Sequence, residues 1–185
     1  MKTTNMHEGL LPSAWVQRCS DLLKPCSTIL DLACGSGRHT HYLAGKGHDV
    51  TALDKNPEAL SKISSSIGIS PYEFDLETGS WPFSERKFDA IVVTNYLYRP
   101  IMQNIVDALC PSGILIYETF MSGNERYGRP SSPDFLLRPN ELIDLVHKKL
   151  EILLYEAGRV NYPKPALIQR ICAVSGRIDY SENAI

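Results

Sequence analysis

Apolar residues in this chain fall in short unbroken runs, not in strict alternation, and the runs are separated by stretches with a helical period. TILDLA (28–33), DVTALD (49–54), FDAIVV (88–93) and GILIYETF (113–120) place apolar residues at consecutive positions. That pattern suits strands covered on both faces, as parallel strands are when helices pack on each side of a sheet. Helical stretches are predicted over 37–46, 57–67 and 100–109, the second opened by Asn56 and Pro57 as N-cap and first helical residue. SPYEF (70–74) adds a strand, and ETGSWPFSE (77–85) is turn-rich. Residues 13–24 carry Trp15, Val16, Cys19, Leu22 and Leu23 at helical spacing, with Ser13 to cap the start and Pro25 to stop the end.

The carboxyl-terminal part departs from this alternation. A helix predicted near 139–148 leads into LEILLY (150–155), and ALIQRICAV (166–174) follows with no helix between them. Without a crossover helix, these last two strands pair antiparallel. The expected fold is α/β: one domain over 1–185, with a seven-stranded, mostly parallel sheet, one antiparallel late strand and helices on both faces.

Composition narrows the function classes. At 185 residues with 43% hydrophobic and 22% charged positions the chain fits an ordinary globular domain. A net charge of -2 lacks the basic excess of a protein that tracks nucleic-acid phosphates. The five cysteines are scattered and form no CxxC pair, which argues against a disulfide framework and a zinc site and fits a reducing cytosol. His39 and His41 lie two apart on a predicted helix and cannot share a metal, so no metal is expected. The first 30 residues, interrupted by Lys2, Glu8 and Asp21, hold no signal-like or membrane-spanning run. A cytoplasmic location and no membrane partner follow as expectations.

ILDLACGSGRHTHYLAGKGHDVTALD (29–54) carries the candidate chemistry. A strand turning sharply into a helix presents unpaired backbone N–H groups, and glycine lets a ligand approach them, a role open to Gly35 and Gly37. Asp54, 17 residues after Gly37 and at the end of the next strand, can accept both hydroxyl protons of a ribose. The plainer alternatives are a tight turn for the glycines and a helix cap for Asp54, although Asn56 and Pro57 already supply capping. A dinucleotide fingerprint needs a third glycine where Thr40 stands, so a nicotinamide-dependent reductase is disfavoured. Asp31, four residues before Gly35, can meet an α-amino group. An ammonium at one end and a ribose in the middle describe S-adenosylmethionine.

The run LDLACGSGRHTHYLAGKGHDVTALDKNPEAL resembles the cofactor-binding core of the class I S-adenosylmethionine-dependent methyltransferases, a Rossmann-like fold, and the strand layout extends the likeness over nearly the whole chain. Within that class it is similar to small bacterial enzymes of the tellurite-resistance type and their uncharacterised relatives. The segment GNERYGRPSSPDFLLRPNEL resembles the uncharacterised branch and brings no substrate with it. The resemblance implies that Asp31, Ala33, Cys34, Gly35, Ser36 and Gly37 border the methionine part of the cofactor. Asp54 then holds the ribose with Lys55 beside it, Asp75 and Leu76 contact adenine, and Thr94, Asn95 and Tyr96 border the methyl group and the substrate. Ala33 stands where glycine is common. TNYLYRP (94–100) departs from the NPPY-like pattern of enzymes that methylate nucleobase amines, which argues against a nucleic-acid acceptor.

The activity so implied is in-line methyl transfer to a sulfur, selenium, tellurium, oxygen or nitrogen atom of a small molecule, releasing S-adenosylhomocysteine. A protein or RNA methyltransferase and a non-catalytic S-adenosylmethionine-binding module are the alternatives. Candidate catalytic residues are Tyr96, Arg99, Glu118 and Arg129. Glu118 ends the fifth strand and either acts as a base or pairs with an arginine. Residues 120–138 form a connection longer than the usual 2–6 residues, the signature of a substrate lid. Arg99, Arg126, Arg129 and Arg138 either fork onto an anionic acceptor or pair with Glu125, Asp134 and Glu141. Tyr98 and Tyr127, with Tyr96, are candidates to line the acceptor pocket.

Overall fold

The apolar runs become the strands of one sheet. They are β1 (Thr28–Leu32), β2 (Asp49–Asp54), β3 (Ile69–Glu73), β4 (Phe88–Thr94), β5 (Leu109–Phe120), β6 (Leu150–Val160) and β7 (Ala166–Ser175). The computed structural model describes residues 11–63 and 67–176. Residues 1–10 of the N-terminal segment, which include Lys2 and Glu8, and 64–66 of the predicted 57–67 helix lie outside the described residues, as do 177–185.

The sheet runs β3-β2-β1-β4-β5-β7-β6. β1 is parallel to β2 and β4, β2 to β3, and β4 to β5, while β7 is antiparallel to both β5 and β6. The order reverses between β1 and β4, and ligands of open α/β sheets lie at the carboxyl ends of the strands at such a switch point.

Among the described residues five short α-helices flank the strands: α1 (Ala14–Ser20), α2 (Arg38–Gly45), α3 (Pro57–Leu60), α4 (Met102–Asp107) and α5 (Glu141–Val146). Consecutive residues of a strand face opposite layers. Ile29, Val92, Ile114 and Ile116 pack with Trp15, Val16 and Cys19 of α1 and Leu43 of α2. Leu30, Val93, Leu115 and Tyr117 pack on the other side with Ile105 and Val106 of α4 and Leu142 and Val146 of α5. Unbroken apolar runs are thus a double-sided requirement.

The helices are shorter than their sequence patterns. The first stops at Ser20, although Leu22 and Leu23 continue the apolar spacing, and the third stops at Leu60 within the described residues. The predicted 100–109 helix divides into a 3-10 turn over Arg99–Ile101 and α4. Ser13 caps α1 by accepting from Trp15 N and Val16 N, and Asn56 caps α3 by accepting from Glu58 N and Ala59 N. No helix among the described residues is long and apolar enough to cross a membrane.

Candidate active site

The loop between β1 and α2 bends through three left-handed residues, Ala33 (φ +55°), Gly35 (φ +56°) and Gly37 (φ +81°). The two glycines serve different ends. A Cβ built on Gly35 would meet nothing within 4 Å, so the backbone there faces open space. On Gly37 it would stand 2.8 Å from Cγ1 of Ile63, so this glycine lets the loop close against the buried Ile63. Ala33 carries its side chain in a conformation that disfavours L-residues by roughly 1–2 kcal/mol, which explains the ease of glycine at such a position.

Asp54 is tied into the same loop. Its Oδ2 accepts from Gly35 N at 2.8 Å and its Oδ1 from Asn56 N at 2.9 Å. Each carboxylate oxygen has a second lone pair, so a half-buried Asp54 that braces the loop keeps acceptor capacity for two hydroxyls. The bracing role had no signal in the sequence. Ser36 is exposed beside Gly35, and Cys34 is buried, with burial pushing its thiol pKa up.

Asp31 is 1% exposed at the end of β1. Thr40 Oγ1 donates to its Oδ2 at 2.6 Å, and burial pushes its pKa up to about 6 in spite of that bond. Among the described residues no cation forms an ion pair with it, and a buried carboxylate in that state fits a cationic ligand group, which would stabilise its charged form. Beside it, His39 accepts from Ser13 N on Nε2 at 3.1 Å and has Thr94 Oγ1 3.3 Å from Nδ1. With Nε2 accepting, the network assigns the proton to Nδ1, which donates to Thr94. Burial first, then Arg38, pushes the His39 pKa down to about 3 and keeps the ring neutral. His39 therefore ties the start of α1 to the end of β4.

On the far side of Asp54, Asp75 caps a 3-10 turn over Leu76–Thr78 by accepting from Glu77 N at 2.9 Å, and Leu76 is buried. Lys55 reaches across to Glu77 at 3.1 Å and Asp75 at 4.0 Å. Its cation is thus engaged with carboxylates of the adjoining turn. Tyr98 OH donates to Glu77 O at 3.3 Å and draws the segment after β4 toward the same turn.

At the end of β4 the chain turns through Asn95, a left-handed residue (φ +54°) whose N–H donates to Glu118 O. Tyr117 OH, on β5, donates to the carbonyl of Tyr96 at 2.9 Å. The hydroxyl of Tyr96 itself is buried without a hydrogen-bond partner. Glu118 sits in a cross-strand row with Thr94, Arg170 and Glu156. Its Oε2 is 3.9 Å from Arg170 Nη1, while Arg170 binds Glu156 more closely, at 2.8 Å through Nε and 2.5 Å through Nη2. Burial raises the Glu118 pKa against the opposing effects of a Ser13 hydrogen bond and of Arg170 and Arg38. Of the two readings of Glu118, the arginine pairing is the contact observed.

Arg99 is committed to the chain's own acceptors. Its Nε and Nη2 fork onto the two oxygens of Glu141 at 2.7 and 3.0 Å, and Nη1 and Nη2 donate to the carbonyls of Asp134 and Leu136. Of the two readings of Arg99, an anionic acceptor or a carboxylate of the chain, the pairing with the buried Glu141 is the contact observed, and it clamps the 133–141 segment. Arg138 joins the same carboxylate at 3.4 Å. Asn124, 1% exposed, binds Pro130 O through Nδ2 and accepts from Leu167 N on Oδ1, pinning the 120–138 connection onto β7. Arg126 and Arg129 are exposed on this connection, and Tyr127 lies under the guanidinium of Arg159 at 5.5 Å.

Comparison with known proteins places this arrangement. Residues 29–113 match the family described as a methyltransferase domain. An uncharacterised methyltransferase of Synechocystis is 31% identical over 50% of this chain and 46% of its own length. TehB of Haemophilus influenzae, named as a probable S-adenosyl-L-methionine-dependent methyltransferase, is 30% identical over 50% of this chain and 30% of its own. The crystal structure of that protein superposes with a TM-score of 0.76 at 22% identity, covering 89% of this chain and 63% of TehB. The N-methyltransferase NodS of Bradyrhizobium japonicum in complex with S-adenosylhomocysteine gives a TM-score of 0.70 at 19% identity, covering 88% and 84%. The chain spans about half or less of the length of these curated relatives.

Proposed function

We propose that the chain is a class I S-adenosylmethionine-dependent methyltransferase that methylates a small molecule held over the carboxyl ends of β4 and β5. The observation that carries the reading is the Asp54 carboxylate, braced by Gly35 N and Asn56 N beside an open Gly35 backbone. When bound, S-adenosylmethionine supplies an electrophilic methyl group on a positively charged sulfur.

The remaining work belongs to the chain's own residues. Asp54 accepts the ribose hydroxyls, and the buried Asp31 accepts the α-ammonium. Leu76 offers an apolar contact to the adenine at the turn capped by Asp75. Thr94, Asn95 and Tyr96 border the acceptor side, where holding the nucleophile in line and excluding water supplies much of the rate without covalent help. The 120–138 connection, pinned by Asn124 and clamped through Arg99, walls that side and leaves Arg129 free to meet an anionic acceptor.

The test is a screen of thiols, amines, phenols, small carboxylates and chalcogen oxyanions with release of S-adenosylhomocysteine as the readout. Acceptor-dependent release is expected for one class. Tight S-adenosylhomocysteine binding with no release for any class would favour a non-catalytic binding module.

A further inference from the structure

The turn after β4 combines three unusual features. Asn95 holds a left-handed conformation that a non-glycine residue rarely adopts. Its backbone is fixed on both sides, by Asn95 N to Glu118 O and by the buried Tyr117 hydroxyl to Tyr96 O. The residue so positioned, Tyr96, packs its ring against the core under α4 and buries its hydroxyl with no partner, and it is the only such side-chain atom among the described residues. A polar atom in that state disfavours the free protein, and an ordered backbone outlier at the mouth of a switch-point crevice marks a functional constraint.

The surroundings of the hydroxyl indicate which ligand would satisfy it. The charged groups acting on it are Glu77, Asp75 and Asp54, with the Tyr98 phenol also near. These lie on the nucleoside side of the crevice, at the end of β2 and in the turn after β3, whereas Glu118 of β5 pairs with Arg170 of β7. Burial and these carboxylates push the Tyr96 pKa up, so the phenol keeps its proton and can donate it to an acceptor.

We propose that the Tyr96 hydroxyl is a cofactor-binding donor, unpaired in the free protein and satisfied by a hydrogen-bond acceptor on the adenosine part of S-adenosylmethionine or S-adenosylhomocysteine. The proposal rests on the cofactor reading above and reassigns Tyr96 from the methyl acceptor to the nucleoside. The weak Tyr98 to Glu77 contact at 3.3 Å lies beside it and is the part of the crevice free to give when the nucleoside enters.

Tyr96→Phe removes the donor and keeps the ring. Titration calorimetry should show S-adenosylhomocysteine binding about tenfold more weakly, equivalent to about 1.4 kcal/mol. 5′-Methylthioadenosine, which lacks the amino-acid part, should lose affinity by the same factor. Thermal unfolding of the free variant should occur at the same temperature as wild type or higher, because an unpaired buried hydroxyl has been removed. Turnover at saturating cofactor should change less than the Michaelis constant for the cofactor. Unchanged affinity in a wild-type-like fold would overturn the assignment, as would a loss confined to S-adenosylhomocysteine. Asp54→Ala separates the two levels: if that variant loses binding while Tyr96→Phe does not, the cofactor site stands and the Tyr96 role fails.

Discussion

If Asp31 receives the cofactor's α-ammonium as proposed, cofactor affinity should depend on pH. The carboxylate is 1% exposed, bonded to Thr40 Oγ1 at 2.6 Å, and its pKa is pushed up to about 6 by burial, with Arg38 and Asp54 the nearby charges. Against an ordinary value of about 3.9, this raised pKa means that the free protein is stabilised below pH 4 and loses that stability as pH rises through 6. The loss is about 3 kcal/mol at 1.36 kcal/mol per unit. A ligand ammonium needs the ionised form, so binding runs the other way. With a pKa near 6, roughly one Asp31 in eleven is ionised at pH 5 and about nine in ten at pH 7, which predicts about a tenfold gain in S-adenosylhomocysteine affinity between them. His39, with its pKa near 3, is silent over that window. Calorimetry at pH 5, 6 and 7 in two buffers of different ionisation enthalpy should show this gain and proton release near pH 6. Asp31→Asn should weaken binding about tenfold or more at pH 7 and flatten the profile, since a charge-assisted bond is lost. A flat wild-type profile, or the same slope in Asp31→Asn, would refute the placement of the ammonium at Asp31.

Two further predictions concern the frame of the site. Gly37→Ala should destabilise the protein by about 2–3 kcal/mol, from left-handed strain and crowding of Ile63. In denaturant titrations the added Ile63→Ala should cost less than it does alone, whereas additive costs would mean the two do not touch. Glu141→Gln removes the fork partner of Arg99 and should destabilise by about 2 kcal/mol. In that variant acceptor turnover should fall while S-adenosylhomocysteine affinity stays within a few-fold, and an unaltered unfolding midpoint would show that the clamp contributes nothing.

The fold was legible in the sequence where burial was continuous. Double-sided runs such as FDAIVV and GILIYETF could only be covered strands, and the absence of a helix between 155 and 166 gave the antiparallel end of the sheet. Helix lengths were less legible, because apolar spacing continues through Leu22 and Leu23 after the hydrogen-bonded helix has ended at Ser20. In the site, Asp31, Gly35 and Asp54 stood out through spacing alone. What spacing cannot carry is competition among neighbours. Glu141 stood among the candidate partners of Arg99, and pairing with an arginine was one reading of Glu118, but which alternative each takes is decided only in the folded sheet, where Arg99 forks onto Glu141 and Glu118 lies opposite Arg170. Gly37 and Gly35 look alike in a sequence, and only the position of Ile63 distinguishes them. The contact of the Tyr117 hydroxyl to Tyr96 had no local signal beyond a polar tip within an apolar run.

The central claim is that the loop braced by Asp54 holds the nucleoside of S-adenosylmethionine. Titration of S-adenosylhomocysteine into the wild-type protein and into Asp54→Ala at pH 7 tests it most directly, with a nicotinamide dinucleotide as the competing ligand. The account predicts one site per chain in the wild type and no dinucleotide binding. In Asp54→Ala it predicts a loss on the order of 100-fold, from two charge-assisted bonds of roughly 1.5–3 kcal/mol each. A folded Asp54→Ala variant that binds within a few-fold of wild type, or a wild type that binds the dinucleotide instead, would contradict it.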